Sequence, residues 1–182
     1  MTCLRGYRSS CDVSVVMKEV CMKSAVVYYS LEGSTKHAAE QVAKNLNADL
    51  IELVCENPYP TEGRARLLRG SKDAMTGAKP ALRPYVFDST TYDLVVVAGP
   101  IWCGKMAAPL NTFKRDHGAE LAGTRVAGIV VSGAPKESYA DAVRKLLGRD
   151  ADMPVLHLTT KQVADDAELD ARVKEFCAAM RA

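Results

Sequence analysis

No run of about 18 apolar residues occurs anywhere in the 182 residues, which excludes a membrane-spanning helix. Neither sign of charge dominates: 24 basic against 22 acidic residues leave a net charge of +2. That is too little for a nucleic-acid footprint, and no basic stripe interleaved with aromatics is present to read single strands. The six cysteines, at 3, 11, 21, 55, 103 and 177, include no Cys-x-x-Cys pair and no dense framework. A disulfide-stapled secreted module is therefore not expected, and a reducing cytoplasm suits the chain best. His37, His117 and His157 are scattered, without Cys or carboxylate partners at ligand spacing, so no metal site is expected. Gly-x-x-x-x-Gly-Lys-Ser/Thr and Gly-x-Gly-x-x-Gly are both missing, which disfavours two nucleotide-binding classes.

What is present is the make-up of one globular domain, 48% apolar and 25% charged, at a length that buries a sizeable core. Residues 1–22 stand apart. They hold three of the six cysteines and no assignable periodicity, and 13–17 is too short for a signal-peptide core. They are expected to form a disordered or peripheral N-terminal extension, with the domain over 23–182 and Met22-Lys23-Ser24 as a natural beginning.

From residue 23 short apolar runs alternate with helical stripes, the pattern of a parallel sheet covered on both faces. Five strands are predicted, over 24–29, 49–54, 94–98, 125–131 and 154–158. One helical stripe is Ala38, Ala39, Val42, Ala43 and Leu46, another Ala140, Val143, Leu146 and Leu147 before a stop at Gly148. A third, Leu169, Val173, Phe176, Cys177 and Met180, is entered through Asp165 or Asp166 as a cap, which makes Cys177 a core residue. A weaker helix near Ala108 holds Leu110 and Phe113. The fold class is α/β, a three-layer doubly wound five-stranded parallel sheet.

The segment 55–92 breaks this rhythm. It is long, carries prolines at 58, 60, 80 and 84, and predicts a helix over 64–75 between irregular loops. Its basic residues Arg64, Arg66, Arg69, Lys72, Lys79 and Arg83 outnumber Glu62 and Asp73. They form either a solvated helix face or a docking surface for an acidic partner or a second, phosphate-bearing substrate.

In an open parallel sheet, ligands sit outside the carboxyl ends of the strands. After the first strand comes Ser30-Leu31-Glu32-Gly33-Ser34-Thr35, with a helix predicted from Lys36. Two uses compete for it: Ser34 or Thr35 caps the helix, or the bare N–H groups of the first turn cradle a phosphate. After the third strand comes Gly99-Pro100-Ile101-Trp102-Cys103-Gly104-Lys105-Met106, with the chain's one tryptophan, and after the fourth Ser132-Gly133-Ala134-Pro135.

Taken together, the stretches 28–36, 92–102 with Gly104-Lys105-Met106, and Ser132-Gly133-Ala134 resemble the flavodoxin family, in its short-chain flavodoxin-like oxidoreductase branch, over about residues 24–180. The resemblance implies a strand order of 2-1-3-4-5 and FMN as cofactor. Ser30, Ser34 and Thr35, with the backbone of Glu32, Gly33, Ser34 and Thr35, would then hold the phosphate. Pro100, Ile101, Trp102, Cys103 and Gly104, with Ser132 and Gly133, would border the isoalloxazine ring. Trp102 either covers the ring or packs inward, and Tyr139 either lines the ring edge or is a first-turn helix residue. Two departures stand out. Glu32 occupies a place where many members carry a hydroxyl, and its carboxylate opposes a phosphate. Cys103, often aromatic in members, is read as structural.

The expected function is an FMN-dependent oxidoreductase or electron-transfer protein, its flavin reduced by a nicotinamide or protein donor and reoxidised by a small-molecule or protein acceptor. The alternatives are a pure flavodoxin-type carrier and a flavin-free interaction module. Homodimers are common in the family, and nothing in these residues decides the point.

Overall fold

Valine decides the middle of the molecule: Val95, Val96 and Val97 are fully buried on both faces of one strand, and each such side chain contributes about 1.5–3 kcal/mol. The computed structural model describes residues 22–61 and 63–181. The expected extension thus lies, up to residue 21, outside the described residues. The strands are β1 (Ser24–Tyr28), β2 (Asp49–Glu52), β3 (Leu94–Trp102), β4 (Lys105–Met106), β5 (Arg125–Ser132) and β6 (Val155–Thr159). The helices are α1 (Ser34–Leu46), α2 (Gly63–Thr76), α3 (Pro109–His117), α4 (Ser138–Leu147), α5 (Thr160–Ala164) and α6 (Asp166–Arg181).

The five long strands run parallel in the spatial order β2-β1-β3-β5-β6, the doubly wound order expected of the first to fifth parallel strands. Two elements were not foreseen. β3 runs to Trp102, four residues past the predicted end, because Ile101 and Trp102 pair antiparallel with Met106 and Lys105 of β4. Cys103 and Gly104, at φ 49° and 77°, close that hairpin in the left-handed geometry that matches strand twist. The second addition is α5, entered through a capping box between Thr159 and Gln162. α6 then starts on Asp165, whose Oδ1 accepts from the N–H groups of Ala167 and Glu168.

The sheet separates two cores. On one face α1 and α6 bury Ala38, Ala39, Val42, Leu169, Val173 and Cys177. On the other, Leu53, Tyr59, Leu110, Phe113 and Val143 pack beneath α3, α4 and the 55–92 segment. α3 lies so close that a Cβ on Gly99 would meet Leu110 Cδ1 at 2.3 Å. As expected, Cys177 is core, and burial pushes its thiol up to about 11.

The 55–92 segment is bound to the domain rather than merely solvated. Cys55 bridges Leu82, Asn111 Nδ2 donates to the Ala78 carbonyl, and Thr112 Oγ1 donates to that of Pro80. Arg69 fits neither of the two uses expected of the basic residues: its guanidinium lies over the Tyr59 ring and donates to the carbonyls of Asn57 and Pro58. Lys72, Lys79 and Arg83 are exposed, whereas the side chains of Arg64 and Arg66, and Glu62 as a whole, lie outside the described residues. His117 does have a carboxylate partner, Glu120 one turn on, with Nδ1 and Oε2 3.2 Å apart.

Candidate functional site

Because β1, β3 and β5 are parallel, the loops that follow them emerge at one edge of the sheet and enclose a cleft of about 440 Å³. Ten of the twelve residues named from sequence line it: Ser30, Glu32, Ser34, Thr35, Pro100, Ile101, Trp102, Cys103, Ser132 and Gly133. Gly33 and Gly104 do not, serving instead at the turns. Leu31, Val131 and Thr160 also line the cleft, as do Gly70 and Ser71 of α2.

The first loop settles the competition between cap and cradle in part. α1 begins at Ser34, two residues before the predicted Lys36, so Ser34 and Thr35 are helical and neither caps. Gly33 takes the N-cap position at φ 92° and so supplies no side-chain cap to the first turn. The first intrahelical bond is from the His37 N–H to the Gly33 carbonyl. The N–H groups of Ser34, Thr35 and Lys36 therefore precede the helix ladder, where the dipole is positive and an anion is well held. Ser30 Oγ accepts the Gly33 N–H, Thr35 is buried, and Glu32 is exposed on the rim.

Trp102 both packs inward and lines the cleft. Its ring meets Tyr29 edge-on at 5.7 Å and Tyr59 at 4.9 Å, and a Cβ on Gly70 would sit 3.5 Å from it. Tyr59 in turn donates to Asp73 Oδ2 at 2.7 Å. Burial pushes both tyrosine hydroxyls well above their ordinary range, so this aromatic wall is neutral. α2 is fastened to the hairpin by Lys105 Nζ, which donates to the Met75 carbonyl. Along α2, Leu68 and Met75 flank Ser71 at i−3 and i+4, one stripe of the helix. They are 71% and 64% exposed, an apolar stripe along the helix that also carries Ser71 of the cleft.

One expectation is corrected here and one open pair of alternatives is decided. Cys103 is not packed as a structural residue; it is exposed at the hairpin tip, because both turn positions project away from the strands. Tyr139 is a first-turn residue of α4, edge-on to His157 at 5.8 Å, and is not among the cleft-lining residues. Sequence reading also missed His157 itself, whose Nε2 lies 2.8 Å from Ser132 Oγ. The available signal was strand periodicity: His157 and Thr159 alternate on one face of β6, beside Ser132 of β5.

A family model described as flavodoxin matches residues 23–174. The chain belongs to the flavodoxin family. No curated protein matches it. Among solved structures it is similar to a flavoprotein in complex with FMN from Lactobacillus acidophilus NCFM, at 23% identity and a TM-score of 0.61, over 76% of this chain and 92% of that one. It is also similar to a flavodoxin from the domain Archaea, at 17% and 0.54, over 86% and 95%. A third is the flavodoxin, WrbA-like protein from Agrobacterium tumefaciens, at 17% and 0.53, over 86% and 94%. At such identities the likeness establishes the flavodoxin fold. Among the described residues no helix is long and apolar enough to cross a membrane.

Proposed function

We propose that the cleft binds FMN and that the chain is an FMN-dependent oxidoreductase or electron-transfer protein, with a nicotinamide or protein donor and a small-molecule or protein acceptor. The observation that carries this is the meeting, in one cleft, of an uncapped helix N-terminus and a slot edged by Trp102 and the Ser132-Gly133 loop.

The donor set suits a phosphate monoester. The first-turn N–H groups of α1 lack a capping side chain, no acidic residue occupies that turn, and Ser30, Ser34 and Thr35 stand on the same wall. A volume of about 440 Å³ lies within the usual range for one small-molecule or cofactor site. Open space around Gly133 lets backbone approach the edge of a flat ring. Glu32 adds a like charge at the rim, but an exposed carboxylate in water repels a phosphate by only on the order of 1 kcal/mol, which would weaken the cradle without abolishing it. When bound, FMN supplies one- and two-electron chemistry that no side chain offers. The chain's part would be to hold and shield: the first turn of α1 would hold the phosphate, and Trp102, backed by Tyr29 and Tyr59, and the Ser132 loop would border the ring. Cys55 and Cys177, buried as free thiols, are consistent with a reducing, cytoplasmic setting.

A second reading, a pure electron carrier, is favoured by the exposed Leu68 and Met75 of α2, the helix whose Gly70 and Ser71 line the cleft, since exposed apolar residues near a site suit a protein partner. Stopped-flow mixing of FMN-loaded protein with NADH and NADPH separates the two. Rapid flavin bleaching by either supports the oxidoreductase, and inertness to both, with reduction by a protein donor, selects the carrier. Protein that stays colourless in excess FMN overturns both.

A further inference from the structure

Ser132 has one hydroxyl proton and two partners. Its Oγ lies 2.8 Å from the Ala134 carbonyl oxygen and 2.8 Å from His157 Nε2. A carbonyl oxygen only accepts, so the serine proton is spent on Ala134, and the second contact is a hydrogen bond only if Nε2 brings a proton of its own. We propose that His157 is the positioning residue of the second cleft loop: its Nε2–H holds Ser132 with the hydroxyl proton turned onto the Ala134 carbonyl, so that Ser132 offers a cofactor a lone pair and no donor.

The surroundings explain why a histidine is needed. Residues 133–137 are all exposed and α4 does not begin until Ser138, so the path of the loop depends on contacts made at its root. Ser132 is itself buried, whereas His157 is half-buried behind it on β6. The ring is kept in place by Tyr139 of α4, edge-on at 5.8 Å, and its carbonyl accepts from Arg172 of α6 at 3.3 Å. Lys136 lies over the Tyr139 ring. Of the two neutral tautomers only the Nε2–H form satisfies the serine, and the imidazolium carries the same proton. The hold therefore survives titration of the ring, with Arg172 the cation that acts on it.

The inference rests on the FMN reading for its consequence but not for its geometry, and the test separates the two. In cofactor-free protein labelled at the histidine ring nitrogens, long-range nitrogen–proton NMR above the ring's titration range should show His157 protonated at Nε2 and bare at Nδ1. A bare Nε2 overturns the proposal. The second arm compares H157Q, whose amide can still donate, with H157L, which cannot. Loss of one hydrogen bond at the loop root should weaken FMN binding by about fivefold in H157L and shift the flavin midpoint potential, and H157Q should recover most of both. Equal affinity and potential in folded H157L and wild type overturn the positioning role, as does equal loss in both variants. Wild-type protein that ignores FMN fails the underlying reading instead, and the NMR result still stands or falls alone.

Discussion

Ser30 Oγ accepts the Gly33 N–H at 3.1 Å, so the loop after β1 closes on itself and Ser30 does not cap the helix that follows. Gly33 then enters α1 at φ 92°, a conformation in which a Cβ costs roughly 1–2 kcal/mol although nothing blocks it. G33A should lower stability by about that much in urea titration and weaken FMN binding further, because relaxing the backbone turns the first-turn N–H groups away from the cleft.

On the proposed reading, Glu32 places a negative charge on the rim of the phosphate site. E32Q should tighten FMN binding by about fivefold at low ionic strength, the worth of roughly 1 kcal/mol of repulsion, and the gain should shrink as salt is raised. Fluorescence titration at two salt concentrations measures both.

Two glycines should respond to alanine with opposite signs. A Cβ on Gly70 meets the Trp102 ring at an ordinary 3.5 Å, so G70A should stabilise α2 by about 0.5–1 kcal/mol. A Cβ on Gly99 meets Leu110 Cδ1 at 2.3 Å and Met106 Cε at 3.2 Å, so G99A should cost about 1–3 kcal/mol through overpacking. Thermal melts of the pair check the sign as well as the size.

Burial and, to a smaller degree, Arg172 hold His157 below the ordinary histidine range. With the folded pKa below the unfolded one, the unfolded chain binds more protons between the two values, so stability is full above about pH 6.5 and falls as the pH drops below it. Urea titrations at pH 7.5 and 5.5 should show this loss, and H157Q should reduce it.

Burial pushes the thiols of Cys55 and Cys177 up to about 11, while Cys103 is exposed. In a chain begun at Met22, which should fold unaided, maleimide at pH 7.5 should label Cys103 first by mass spectrometry. Bound FMN should slow that reaction, because Cys103 lies on the cleft rim.

What the sequence made legible was set by pattern strength. The five parallel strands and the burial of Cys177 follow from short apolar runs and an i, i+3, i+4 stripe that tertiary packing only reinforces. β4 was illegible because its two residues carry no periodicity, and its turn depends on a non-glycine, Cys103, at positive φ. α5 is a five-residue helix, too short for a stripe. At the site, the three loops were readable because strand ends in a parallel sheet converge. The contribution of α2, through Gly70 and Ser71, was not. Charge alone made Arg69 look solvated, whereas its cation–π contact with Tyr59 and the docking of α2 on Trp102 arise only in the folded chain.

The phosphate cradle at α1 is tested most directly by titrating the cofactor-free protein with FMN and with riboflavin and following flavin fluorescence. Charge-assisted hydrogen bonds to first-turn N–H groups should make FMN bind at least about tenfold more tightly than riboflavin, saturating at one per chain. Equal affinity for the two, or no quenching by either, would contradict it.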